Sequence, residues 1–114
     1  MKNKEVIQQF LNGENAKTEN LFCEPKLNKF VLYSYGYHFP IGIKLSCGKI
    51  LISCSGYSQT TAKHKGYLAR GLGYSRFSDL ERSGKETLLT TKQLQQVIDD
   101  ENINNYSDFI ASKI

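Results

Sequence analysis

At 114 residues, with 39% apolar side chains, seven Tyr and six Phe, the chain is expected to form one domain, 1–114, around one modest core. That composition argues against disorder. No apolar run approaches the roughly 20 residues of a membrane span, and the start, MKNKEVIQQFL, is too polar for a signal peptide, so a cytoplasmic protein with no membrane partner is expected. The net charge is +4, and its distribution says more than its size: from Pro25 to Ser78 there are eight Lys and Arg, both His, and no Asp or Glu. Such asymmetry favours an anionic partner.

The first element is a helix over NKEVIQQFL, with Val6, Ile7, Phe10 and Leu11 on one face, Asn3 as cap and Gly13 as stop. NGENAKTEN reads as a loop, and LFCEP as a brief strand ended by Pro25. Three strands follow. In KFVLYSY, Phe30, Leu32 and Ser34 share one face, and Val31, Tyr33 and Tyr35 the other. In HFPIGIKLS, Pro40 asks for an edge or a bulge. A Gly48-Lys49 turn leads into KILISCS. The short connections imply an antiparallel meander.

SQTTAKHKGYLARGLG loses strand alternation and reads as a helix, capped by Ser58 or Thr60 and stopped at Gly71 or Gly73. His64, Leu68 and Leu72 fall on one face; Lys63, Tyr67, Arg70 and Tyr74 fall on another. Gly66 at mid-helix costs about 1 kcal/mol relative to Ala and suggests a close backbone approach. SDLERSGKE carries a capping-box pattern, Ser78 with Glu81, and TTKQLQQVIDD carries another, Thr90 with Gln93. In the second, Leu94, Val97 and Ile98 are the apolar face, and Asp99, Asp100 and Glu101 oppose the helix dipole. NYSDFIASKI reads as a final helical turn. The expected fold is α+β: a small antiparallel sheet of three to four strands. An N-terminal helix and two to three C-terminal helices pack on one face.

The acid-free stretch matches the needs of a polyanion. Lysine and arginine neutralise phosphates, and tyrosine rings stack on unpaired bases. Six of the seven tyrosines lie in it: Tyr33, Tyr35, Tyr37, Tyr57, Tyr67 and Tyr74. The candidate nucleic-acid-binding residues are Tyr57, Thr60, Thr61, Lys63, His64, Lys65, Tyr67, Arg70, Tyr74 and Arg76. Lys63, Lys65, Arg70 and Arg76 would meet phosphates. Tyr57, Tyr67 and Tyr74 would stack or donate, and Thr60 and Thr61 would offer hydroxyls or cap the helix. Exposed aromatics beside a basic helix suit single-stranded or structured RNA better than a major groove.

Two other readings compete with RNA binding. The same basic face suits an acidic protein surface. Alternatively, His64 between two lysines, with His38, another lysine and a tyrosine, has the parts of a small metal-independent ribonuclease. No catalytic motif is present, and no enzyme activity is expected. Cys23, Cys47 and Cys54 are odd in number and lack ligand-pair spacing, so three reduced, mostly buried thiols are expected, with no metal and no cofactor.

The segments LYSYGYHFPIGI and GYSQTTAKHKGYL resemble a small domain of bacteriophage and mobile-element proteins with a Tyr-Ser-Tyr-Gly … Tyr-Ser-x-Thr-Thr-x-Lys-His pattern. The matching residues are Leu32 to Gly36, Phe39 to Ile41, and Tyr57, Ser58, Thr60, Thr61, Lys63 and His64. The resemblance implies a phage-type accessory protein acting in the host cytoplasm. By analogy it implies an anti-CRISPR-type inhibitor of a host-defence ribonucleoprotein such as a CRISPR effector complex.

Overall fold

The computed structural model describes residues 2–27, 29–37, 39–46, 48–54 and 59–100, with backbone only at 59–61. Its elements, in chain order, begin with α1 (Asn3–Leu11), β1 (Ala16–Lys17), β2 (Leu21–Lys26), β3 (Lys29–Ser34) and β4 (Pro40–Lys44). They continue with β5 (Ile50–Ser53), α2 (Gln59–Gly71), α3 (Phe77–Ser83), β6 (Thr87–Leu89) and α4 (Thr91–Asp99). The class is α+β, as expected. The sheet is larger than expected, with six strands in the order β1-β2-β3-β4-β5-β6. It is also mixed: β1 to β5 form an antiparallel meander, and β6 pairs parallel to β5. The two extra strands have two and three residues, too short to show alternation in sequence.

The helices do not share one face. Val6, Ile7 and Phe10 of α1, Leu68 and Ala69 of α2 and Leu80 of α3 bury Leu21, Leu32 and Ile52 on one side. Leu94, Val97 and Ile98 of α4 bury Val31, Ile43 and Leu51 on the other. The expectation of a one-faced sheet is therefore corrected. The central strands are apolar on both sides, which two covering layers require.

A bulge explains how one strand serves both layers. The β3–β4 register runs Val31 with Ile43 and Leu32 with Gly42, then shifts so that Tyr33 meets Pro40. Ile41 is the inserted residue, and both it and Ile43 are fully buried, in opposite cores. Pro40, which lacks a ladder donor, occupies that interruption in an interior strand. Pro25 ends in the same safe position by another route: β1 reaches only Phe22 and Cys23, so nothing pairs with the outer edge of β2 at Pro25.

The helical layer sits close to the sheet because two glycines remove side-chain bulk. A Cβ at Gly42 would meet Phe10 Cζ and Leu68 Cδ2 at 3.4 Å each. A Cβ at Gly71 would lie 2.7 Å from Ile7 Cγ2. The close approach on α2 is thus at Gly71. Gly66 has only the Arg70 guanidinium near it, at 3.7 Å, so the expectation placed there is corrected.

Helix ends account for several lysines. Lys44 of β4 donates its ammonium to Leu11 O at the end of α1, at 2.5 Å. Lys29 of β3 donates to Asp100 O at the end of α4, at 2.7 Å. A cation at a helix C-terminus satisfies orphan carbonyls and complements the dipole. The acidic end of α4 is offset in this way. Lys29 is 2% exposed, and burial lowers its pKa while Asp100 and Asp99 draw it back up. The Thr90–Gln93 capping box is present, with both reciprocal bonds. The Ser78–Glu81 pattern is not used: α3 starts two residues earlier, with Arg76 at its N-cap and no side-chain cap bond. Asn3 is not the cap of α1 either; Lys2 is, and Asn3 Oδ1 accepts from the Thr18 hydroxyl.

Candidate functional site

Helix α2 is two-sided, as its spacing requires. His64, Leu68 and Ala69 face the sheet, at 1%, 0% and 0% exposure. Ser34 on β3 points at the same layer, and Ser34 Oγ lies 2.7 Å from His64 Nδ1. The pair is sealed, and burial lowers the histidine pKa, so the ring is neutral at physiological pH. His64 therefore meets Ser34, with its face turned from solvent, although the sequence reading placed it among the nucleic-acid contacts. His38, its expected catalytic companion, lies outside the described residues.

Lys65 is also turned inward. It is 8% exposed, its ammonium stands 4.4 Å over the Phe77 ring, and burial lowers its pKa while Glu81 raises it. Its expected phosphate contact is replaced by a cation–π contact that pins α3 against α2. Tyr74 is half-buried against the helical core, and its hydroxyl donates to Glu86 Oε2 at 3.1 Å. Tyr57 lies outside the described residues. Thr60 and Thr61 fall in the first turn of α2, and their side chains lie outside the described ones.

The remaining candidates converge. Lys63 and Arg70 are exposed, and the Arg70 guanidinium stands 4.9 Å over the half-buried Tyr67 ring. Arg76 is exposed at the entry to α3, with one loose contact to Asp79 at 3.8 Å. A hollow of about 340 Å³ between α2 and α3 is lined by Lys63, Tyr67, Arg70, Arg76 and Phe77, and among the described residues by no carboxylate. A second, of about 240 Å³, lies on the other side of Tyr67 and Arg70, where α1 adds Lys4. Sequence reasoning missed Lys4 and Phe77. Lys4 lies outside the acid-free stretch, and Phe77 carries no charge to mark it.

The apparent reserve of eight cations is thereby divided. Lys29, Lys44 and Lys65 support helices, and Lys49 reaches Lys85 O at 3.5 Å. Lys26 is exposed at the end of β2, and Lys63, Arg70 and Arg76 stand around one surface, reinforced by Lys4.

Among the described residues no group of three or more His, Cys, Asp or Glu is placed to hold a metal ion. Of the three thiols expected to be mostly buried, Cys23 is buried, with burial pushing its thiol up to about 11, Cys54 is exposed, and Cys47 lies outside the described residues. Among the described residues no helix is long and apolar enough to cross a membrane. No family model matches the chain, and no curated protein or solved structure matches it. The phage-type resemblance, and with it the extension to a CRISPR ribonucleoprotein, rests on the sequence pattern alone.

Proposed function

We propose that the chain binds a phosphate-backbone polyanion, single-stranded or structured RNA first among them, across the outer surface of α1, α2 and α3. The observation that carries this reading is the hollow whose lining brings Lys63, Arg70 and Arg76 together with Tyr67 and Phe77 and includes no acid among the described residues. Cations from two helices around one concavity suit a chain of phosphates, and the aromatic wall offers a face to a base. Arg70 is stacked on Tyr67, and among the described residues no carboxylate forms an ion pair with it. The exposed Arg76–Asp79 contact is too weak to compete with a phosphate.

The test is a titration with a labelled oligouridine and, beside it, a labelled polyglutamate peptide. Four cationic contacts give a single-strand salt slope of about −3, so a fourfold rise in salt should weaken oligouridine binding by roughly 50-fold. Arg70→Ala and Arg76→Ala should each flatten that slope by about 0.7, with stability changed by less than about 0.5 kcal/mol. Affinity independent of salt would sink the proposal. Binding of polyglutamate without oligouridine would transfer the face to an acidic protein partner.

A further inference from the structure

The opposite side of the sheet carries a second concavity of contrary chemistry. Helix α4 covers β3 to β6, and no described helix covers the same face of β1 and β2 beside it. There a hollow of about 590 Å³ is lined by Lys17, Glu19, Phe22, Glu24, Tyr35 and Tyr37, among others. That size falls in the range of small-ligand and side-chain pockets. Two carboxylates against one ammonium make its charged lining net negative, on a chain whose total charge is +4.

The aromatic groups are assembled rather than scattered. Phe22 stacks on Tyr33 at 5.1 Å, and Tyr37 stands edge-on to both, at 5.2 and 5.0 Å. Tyr37 and Tyr35 both line the hollow and remain 56% and 47% exposed, and the Tyr35 ring also stands 6.0 Å from that of His64. The Glu24 carboxylate beside Tyr37 raises the phenol pKa. A negative charge at the ring's polar end complements a cation placed over its face. The turn that presents both tyrosines is fixed at two points. Tyr35 adopts φ 71°, in the left-handed region, with its N–H bonded to Asn20 O at 2.7 Å. Gln95 of α4 donates to Tyr37 O at 2.9 Å. A non-glycine residue held in that region is strained, and the rest of the structure must offset the strain.

We infer that this hollow is a docking site for an arginine side chain presented by a partner protein. Charge complementarity and ring chemistry select that occupant. A guanidinium is planar, so it lies flat on an exposed tyrosine ring while its edge pairs with Glu24 or Glu19. An ammonium has no plane to stack and is more strongly hydrated, so lysine is the weaker ligand. A phosphate is repelled by the two carboxylates, which separates this site from the cationic surface on the other layer.

A labelled arginine–glycine repeat peptide, titrated into the full chain at low salt and followed by anisotropy, tests the inference. A lysine–glycine peptide of equal length and charge is the control. The net positive charge of the protein opposes non-specific capture of either. The expected result is saturable binding of the arginine peptide, at least fivefold tighter than the lysine peptide. Glu24→Gln and Tyr37→Ala should each weaken it by about tenfold, whereas Arg70→Ala should leave it unchanged. Tyr37→Phe keeps the ring and loses the hydroxyl, so it should fall between wild type and Tyr37→Ala. That variant keeps the test decisive if the alanine disturbs the turn. No binding, equal binding of both peptides, or binding indifferent to Glu24→Gln and Tyr37→Phe overturns the inference. Self-association in sedimentation that Tyr37→Ala abolishes, without peptide binding, also overturns it, because the occupant is then a second copy of this chain.

Discussion

Replacing His64 with alanine is expected to destabilise the fold by about 2–5 kcal/mol, the range for large-to-small truncation in a core. Two costs combine. The ring is 1% exposed, so its removal leaves a cavity between α2 and β3. Ser34, itself fully buried, loses the hydrogen-bond partner 2.7 Å from its hydroxyl, and a lost intramolecular hydrogen bond costs about 0.5–1.5 kcal/mol. The two costs separate in a cycle. His64→Leu restores bulk without the bond to Ser34, so the coupling energy between His64→Leu and Ser34→Ala, expected at about 1 kcal/mol, reports that bond. Denaturant titration of the four proteins measures this; strictly additive effects would remove the hydrogen bond from the account.

The same pair sets a pH dependence. Burial lowers the folded-state pKa of His64, so on acidification the unfolded chain takes up its proton first. Its contribution is complete above about 6.5, the ordinary histidine value, and is lost as pH falls from there through the folded-state value. The Ser34→Ala/His64→Leu chain should therefore lose less stability over that interval than the wild type.

Gly71→Ala and Gly66→Ala, five positions apart on one helix, are expected to act in opposite directions. At Gly71 the new methyl would stand 2.7 Å from Ile7 Cγ2 and 3.2 Å from Leu11 Cδ1, so α1 and α2 must move apart. Overpacking of this kind costs about 1–3 kcal/mol and outweighs the gain of at most about 1 kcal/mol in helix propensity. At Gly66 the methyl meets only the mobile end of Arg70, at 3.7 Å, so the propensity gain of about 0.5–1 kcal/mol should survive. Thermal melts of the two variants check the signs. A stabilising Gly71→Ala would mean that α1 is not seated against α2 as described.

The periodic elements were legible in sequence for physical reasons. Val6, Ile7 and Phe10 mark α1 by spacing, and His64 and Leu68 mark the inward side of α2. The Thr90–Gln93 box marks the start of α4 by chemistry. Pro40 was read as a bulge or an edge, and it is at a bulge. What sequence could not show was partnership across distance. Leu88 and Leu89 became a strand only because β5 offered a free edge. Lys29, Lys44 and Lys65 looked like members of a basic surface, and their roles depended on which helix end or ring came to lie beside them. Charge counted along a chain overstates charge available on a surface for the same reason.

The one parallel pairing in the sheet, between β5 and β6, has a consequence for the order in which the molecule assembles. Strands β1 to β5 join neighbour to neighbour through short turns, whereas β6 arrives only after α2 and α3 have intervened. Long loop closure is entropically costly and must precede the contacts that reward it. β6 and α4 are thus expected to dock late and to open first, as one cooperative unit. Native-state hydrogen exchange should give the amides of Thr87–Leu89 and Leu94–Ile98 a shared opening free energy below that of β3 and β4. Such an opening bares Val31, Tyr33, Ile43 and Leu51 while α1 stays seated on the opposite core, so the molecule has a weak side and a strong side.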